Sequence, residues 1–274
     1  MARDVGVVIP AAGQGQRLGG RSKALVTLAG APLLLHSLQV ISRHPAVGPI
    51  TAAIREEDRA ELEGVLREHG MAARVALVAG GASRCASVAN AVRSLPAEAA
   101  WVVVHDAARP CLDDALLSRV IDAVREHHAV AAGLPAPMTV KTVDREQMVR
   151  LTLDRESLWL AQTPQAFRRE WLEAAIARVG ERLDQMPDDA AACEWAGYPV
   201  RMVPGDALNI KVTVPDDLVI ADAILKARQQ SPDQFEVQSS KFEEEKRKGK
   251  GADGRSRQTL RTSNFELRTA PSPG

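Results

Sequence analysis

The 274 residues are 45% apolar and 26% charged with 3% aromatics, a globular balance whose core must be built from Ala, Val, Leu and Ile. Lys plus Arg and Asp plus Glu both number 35, which argues against a broad polyanion-binding surface for nucleic acid or an acidic membrane. No apolar run approaches the ~20 residues that span a bilayer. The N-terminus lacks signal-peptide architecture, and Cys85, Cys111 and Cys193 are too scattered for a disulfide framework or a metal site. A cytoplasmic protein with buried thiols is the expectation.

Apolar runs at residues 5–9, 50–54, 75–78, 101–105 and 130–134 read as buried strands. Residues 33–42, 58–68, 86–95 and 113–127 lie between them and read as helices, with Asp58 and Asp113 at N-cap positions. Strand–helix alternation with near-continuous apolar strands predicts an α/β fold, a parallel sheet covered by helices on both faces. Ligands of such sheets bind at the carboxyl ends of the strands. The alternation breaks at Pro135-Ala136-Pro137, and residues 140–143 and 148–153 then read as a β-hairpin arm. An arm that cannot bury both faces on its own domain predicts a homodimer. Helical pattern resumes at 168–178 and 189–196, followed by a strand at 200–203 and a last helix at 216–229. The globular part therefore spans 1–229, with the arm at 135–158, and residues 230–274 read as a disordered tail.

The loop from Pro10 to Gly20 follows the first strand directly. Gly13 and Gly15 lack a Cβ, so their N–H groups can approach phosphate oxygens. The dinucleotide fingerprint fails because Leu18 holds the third glycine position, and the second strand ends at Ile54-Arg55 with no acidic residue. That counts against a nicotinamide-dependent dehydrogenase. A Walker A loop fails as well, since the nearest lysine is Lys23. What remains is a glycine loop with two cations, Arg17 and Lys23. Fixed cations of this kind stabilise the charge that builds as a nucleoside triphosphate loses pyrophosphate. A phosphate-monoester nucleophile is already ionised, so no general base is needed.

Other segments fall at the carboxyl ends of strands. Gly80–Ser87 opens a helix, where backbone and the Ser87 hydroxyl can read a base edge or simply cap the helix. His105-Asp106-Ala107-Ala108-Arg109-Pro110 ends the fourth strand. Asp106 suits Mg²⁺, a substrate hydroxyl or a structural cap, while His105 reads as a satisfied core histidine. Asp154-Arg155 closes the arm, and Asn209-Ile210-Lys211-Val212-Thr213 precedes the last helix.

The motifs P-A-A-G-x-G-x-R, G-G-x-x-R-x-x-S-V, V-H-D-A-A-R-P, D-R-x-x-L-W-x-x-Q-T-P-Q-x-F and N-I-K-V-T-x-P-x-D-L occur in that order over residues 4–227. Together they resemble the 2-C-methyl-D-erythritol 4-phosphate cytidylyltransferase family of non-mevalonate isoprenoid synthesis. The resemblance implies a Rossmann-like domain with a dimerising β-arm, CTP and a sugar-alcohol phosphate as substrates, and Mg²⁺ as the metal. It implies that Arg17 and Lys23 stabilise the transition state and that Arg155 and Lys211 hold the acceptor phosphate. Asp106, Arg109 and Thr139 match substrate-contacting positions. Pro10, Ala11, Ala12, Gly13, Gly15, Gly81 and Ser87 belong to the implied CTP-binding surface. Ala24, Ala82 and Pro187 depart from the pattern, each removing a contact without removing a charge. A ribitol 5-phosphate acceptor, or a non-catalytic nucleotide-binding module, stands as the alternative.

Overall fold

The computed structural model describes residues 3–13 and 22–230. The chain divides into two units, Met1–Gln230 and Ser231–Gly274, and the expected tail lies outside the described residues. In chain order the first unit runs β1 (Val5–Pro10), β2 (Thr27–Leu28), β3 (Ala31–Pro32), α1 (Leu33–Arg43), β4 (Val47–Ile54) and α2 (Arg59–Glu68). It continues through β5 (Val75–Ala79), α3 (Arg84–Ser94), β6 (Trp101–Val104), α4 (Asp114–His127) and β7 (Ala129–Pro135). The arm strands β8 (Lys141–Val143) and β9 (Val149–Thr152) follow, then β10 (Trp159–Arg168), α5 (Arg169–Val179), α6 (Asp189–Trp195), β11 (Arg201–Pro204) and α7 (Pro215–Gln230).

Seven strands form one sheet in the order β11-β7-β10-β6-β1-β4-β5. All neighbours are parallel except β10, which runs antiparallel to both β6 and β7. The sheet is buried on both sides, which is why its strands read as unbroken apolar runs. Val5, Val7 and Ile9 face a core with Leu34, Leu38, Leu62, Leu116 and Val120, from α1, α2 and α4. Val8, Val102 and Val104 face the other way, onto Val88, Val92, Leu172 and Cys193 of α3, α5 and α6. Truncating one of these leucines to alanine would cost about 2–5 kcal/mol, the usual range for a core cavity.

Two expectations need correction. The antiparallel β10 was not among the predicted strands, and it sits in the middle of the sheet. The Asp58 side chain caps nothing, because a 3-10 turn, Glu56–Asp58, already leads into α2; Asp113 does cap α4, its carboxylate accepting from Leu116 N at 2.8 Å. The arm is present as an antiparallel pair, Lys141 opposite Thr152, in a sheet of its own. Its apolar side chains are exposed, among them Met138, Val143, Met148, Val149 and Leu151. Among the described residues no helix is long and apolar enough to cross a membrane.

Candidate active site

A cavity of about 650 Å³ opens at the carboxyl ends of β1, β5 and β6, where the parallel sheet places it. Pro10, Ala11, Ala12 and Gly13 line it from β1, and Gly81, Ser83, Arg84 and Ser87 from the start of α3. Asp106 and Ala107 follow β6, and Lys23 and Lys211 complete the wall. Gly15 and Arg17 lie outside the described residues.

The first and third loops touch. A Cβ on Gly80 would press on Ala12 Cβ and lie 3.3 Å from the Ile54 carbonyl, and one on Gly81 would lie 3.0 Å from Ser87 N. Only glycines allow this approach. Ser87 staples the turn: its hydroxyl donates to Ser83 O and accepts from Gly81 N, both at 2.9 Å. The proton that could read a base edge is therefore already engaged, and one lone pair remains for a ligand. Ser83 caps α3 by accepting from Ala86 N at 3.1 Å.

Lys23 begins a 3-10 turn anchored by buried Ala24 and Leu25, and its ammonium donates to Val212 O at 3.3 Å. Lys211 Nζ reaches Asp106 Oδ2 at 2.7 Å, and Arg84 Nε reaches Asp106 Oδ1 at 2.8 Å. Burial alone would push the Asp106 carboxyl up, but Arg84 and Lys211 hold it well below the usual carboxylate range. Arg84 also binds buried Asp189 at 2.7 Å. Asp188 caps α6 through Ala191 N at 2.8 Å, so Pro187 leaves both acidic residues engaged. Arg84 and Asp189 join the site beyond the residues expected from sequence. The available signal is an arginine at the first position of a helix facing the carboxyl end of the sheet.

Several assignments change. Both oxygens of Asp106, the metal position expected from sequence, receive cations, Arg84 on one and Lys211 on the other. Among the described residues no group of three His, Cys, Asp or Glu side chains can hold a metal, so they do not fit a protein-held ion. Arg109 is corrected as a substrate contact. It is 8% exposed, does not line the cavity, and donates to Asn209 O at 2.8 Å and Ala161 O at 3.5 Å. Thr139 and Arg155 lie exposed at the base of the arm and do not line the cavity of their own chain.

His105 is wholly buried, as expected of a satisfied core histidine. Its Nε2 lies 3.1 Å from the Arg109 carbonyl, which can only accept, so Nε2 carries the proton. Nδ1 then accepts from the Thr163 hydroxyl at 3.3 Å, and the same hydroxyl oxygen accepts from Asp106 N at 3.0 Å. Burial pushes the imidazole pKa down from 6.5 to about 4. As the pH falls below 6.5, the unfolded chain gains a proton that the folded chain refuses until about 4. Stability should therefore drop by about 3 kcal/mol across that window. Urea midpoints measured from pH 7 to pH 4.5 should fall, and His105→Asn should flatten that part of the profile. An unchanged slope in the variant would assign the loss to another group.

A family model described as "IspD: 2-C-methyl-D-erythritol 4-phosphate cytidylyltransferase" matches residues 5–227. A 2-C-methyl-D-erythritol 4-phosphate cytidylyltransferase of Salinibacter ruber is 38% identical over 234 residues, covering 85% of this chain and 98% of that one. One from Synechococcus elongatus is 39% identical over 224 residues, covering 81% and 97%. The crystal structure of the Thermus thermophilus cytidylyltransferase of the same name superposes with a TM-score of 0.69 at 32% identity, covering 81% and 99%.

Proposed function

We infer the division of labour in this site from one premise: the chain belongs to the 2-C-methyl-D-erythritol 4-phosphate cytidylyltransferase family. It is a nucleotidyltransferase that moves CMP from CTP to 2-C-methyl-D-erythritol 4-phosphate and releases pyrophosphate, a step of non-mevalonate isoprenoid synthesis. The observation that carries the residue roles is the meeting of Lys23, Arg84 and Lys211, from three distant segments, in one cavity with the Asp106 carboxylate. Such a charge pattern suits a triphosphate and a phosphate monoester held side by side.

An acceptor phosphate oxygen attacks the α-phosphorus of CTP. The bond from that phosphorus to the α–β bridging oxygen breaks, and its electron pair leaves with pyrophosphate. Pro10, Ala11, Ala12, Gly13, Gly81 and Ser87 form the CTP wall, with Gly15 and Arg17 in the same loop. Lys23, together with Arg17, stabilises the charge on the leaving oxygens. Lys211 and Arg155 hold the acceptor phosphate, while Asp106 and Thr139 contact acceptor hydroxyls. A divalent cation such as Mg²⁺ would be held chiefly by the triphosphate itself and would supply charge neutralisation there, because Asp106 already has two cationic partners. The exposed apolar side of the arm supports a homodimer, in which the arm brings Thr139 and Arg155 to the neighbouring cavity. Cytoplasmic operation accords with three free, buried cysteines.

The purified enzyme, given CTP with 2-C-methyl-D-erythritol 4-phosphate, should release pyrophosphate and form the cytidylyl product. Faster reaction with ribitol 5-phosphate would reassign the acceptor. No release with either would leave only a nucleotide-binding module.

A further inference from the structure

Residues 205–214 carry Lys211, yet they lie between β11 and α7 in neither helix nor strand. What fixes them is a set of hydrogen bonds, buried or half-buried, from β10 and the loop after β6. The Gln162 side chain pairs with the Asp206 backbone in both directions, Nε2 donating to O at 2.9 Å and Oε1 accepting from N at 3.2 Å. Arg109 spans Asn209 O and Ala161 O, and Asn209 Nδ2 donates to Thr163 O at 2.7 Å. Val212 N donates to Ala108 O at 2.8 Å.

These bonds are possible because β10 stops pairing with β7 between Ala161 and Gln165. The Thr163 carbonyl lies in the unpaired stretch and accepts from Asn209, while the Ala161 carbonyl, on a residue still paired with Gly133, accepts from Arg109. Gly205 adds a further constraint, since a Cβ there would press on Gln162 Oε1 and lie 3.1 Å from Gly133 O. Arg109, Gln162 and Asn209 are all at least nine-tenths buried, which limits the competition of solvent for their bonds.

We propose that Arg109 and Gln162 are positioning residues, a buried strut through which the irregular middle of β10 sets where Lys211 stands in the cavity. Neither residue touches substrate; both act through the loop. The proposal rests on the assignment of Lys211 to the acceptor phosphate. Ala161 is held by its pairing with Gly133, so the Arg109 bond ties the Lys211 loop to the sheet.

The experiment uses Gln162→Glu, which keeps the acceptor oxygen but replaces the donor to Asp206 O with a repelling one, and Gly205→Ala, which displaces the Gln162 amide without altering its chemistry. In both, the KM for the acceptor should rise on the order of tenfold, as expected for one buried hydrogen bond lost, with the KM for CTP near wild type. In a Lys211→Ala background the same changes should add almost nothing, because their only route to the substrate is gone. Additive losses would overturn the proposal. Amide exchange provides a readout separate from activity: Asp206 and Val212 should exchange faster in both variants, with β1 and β6 still protected. Unchanged protection at those two amides would overturn the strut. If Lys211→Ala itself leaves the acceptor KM untouched, the assignment of Lys211 fails, and the exchange result alone decides whether the strut exists.

Discussion

Replacing Lys23 with alanine is expected to lower the turnover of CMP transfer by roughly 10²–10³-fold, the range seen when a fixed transition-state donor is removed. The KM for CTP should move far less, because the charge Lys23 meets is largest when the α–β bridging oxygen departs. Thermal stability should be near wild type. The turn is held by buried Ala24 and Leu25, whereas the ammonium makes a 3.3 Å bond to the Val212 carbonyl. That carbonyl is also a neighbour of Lys211, so the resting site keeps both lysines against the same short loop. Lys23→Arg tests geometry apart from charge: its longer, planar fork should restore only part of the rate. Steady-state kinetics with both substrates varied, beside a melting curve, are sufficient. Near wild-type turnover in Lys23→Ala would remove the lysine from the chemistry.

Much of the frame is legible in the sequence for a physical reason. β1, β4 and β6 are covered on both faces, so almost every residue in them is apolar and the run announces itself. β10 is hidden because Gln162-Thr163-Pro164-Gln165 looks like a turn, and proline argues against a central strand. Its polar groups are tolerated there because they bond the Lys211 loop, residue 188 and the backbone of residues 106 and 190, partners that no local pattern specifies. The two aspartates read as N-caps show the same limit. They are chemically identical, yet only Asp113 caps, because Asp58 ends a 3-10 turn that has already set the entry of α2. The arm is readable because alternation persists in strands that lack a covering layer.

The site divides along similar lines. Pro10–Gly13, Gly81, Lys23, Asp106 and Lys211 can be read from motif and position, since the carboxyl ends of the strands must converge. Pairings across the fold cannot. Arg84 meets Asp189 and Asp106 only after α3 and α6 pack on the same face. Arg109 looks like a ligand-facing cation for the same reason that Lys211 does. It turns inward because carbonyls of β10 and of residue 209 lie within reach of its guanidinium, a fact of tertiary structure alone.

Asp106→Asn should be the most damaging single change to the fold near the site. The carboxylate is 5% exposed and sits between Arg84 and Lys211, so its removal leaves two cations facing a neutral amide. Breaking a buried ion pair from one side costs about 3–5 kcal/mol. The lower end applies here, because the Lys211 side chain is 41% exposed and can turn to water, and Arg84 keeps Asp189. Denaturant titration at pH 7 should register that loss, together with a raised KM for the acceptor, since Lys211 would no longer be held. The pH dependence separates this carboxylate from His105. A folded pKa held below the unfolded value gives stability that is present above about 3.9 and lost as the pH falls further. His105 acts between 6.5 and about 4. Wild type should therefore lose stability in two successive stages on acidification, and the second should be smaller in Asp106→Asn, since Asp4 and Asp217 still contribute to it. If the loss below pH 4 were undiminished in the variant, other carboxylates would account for it, and the Arg84–Asp106–Lys211 group would matter for catalysis more than for the fold.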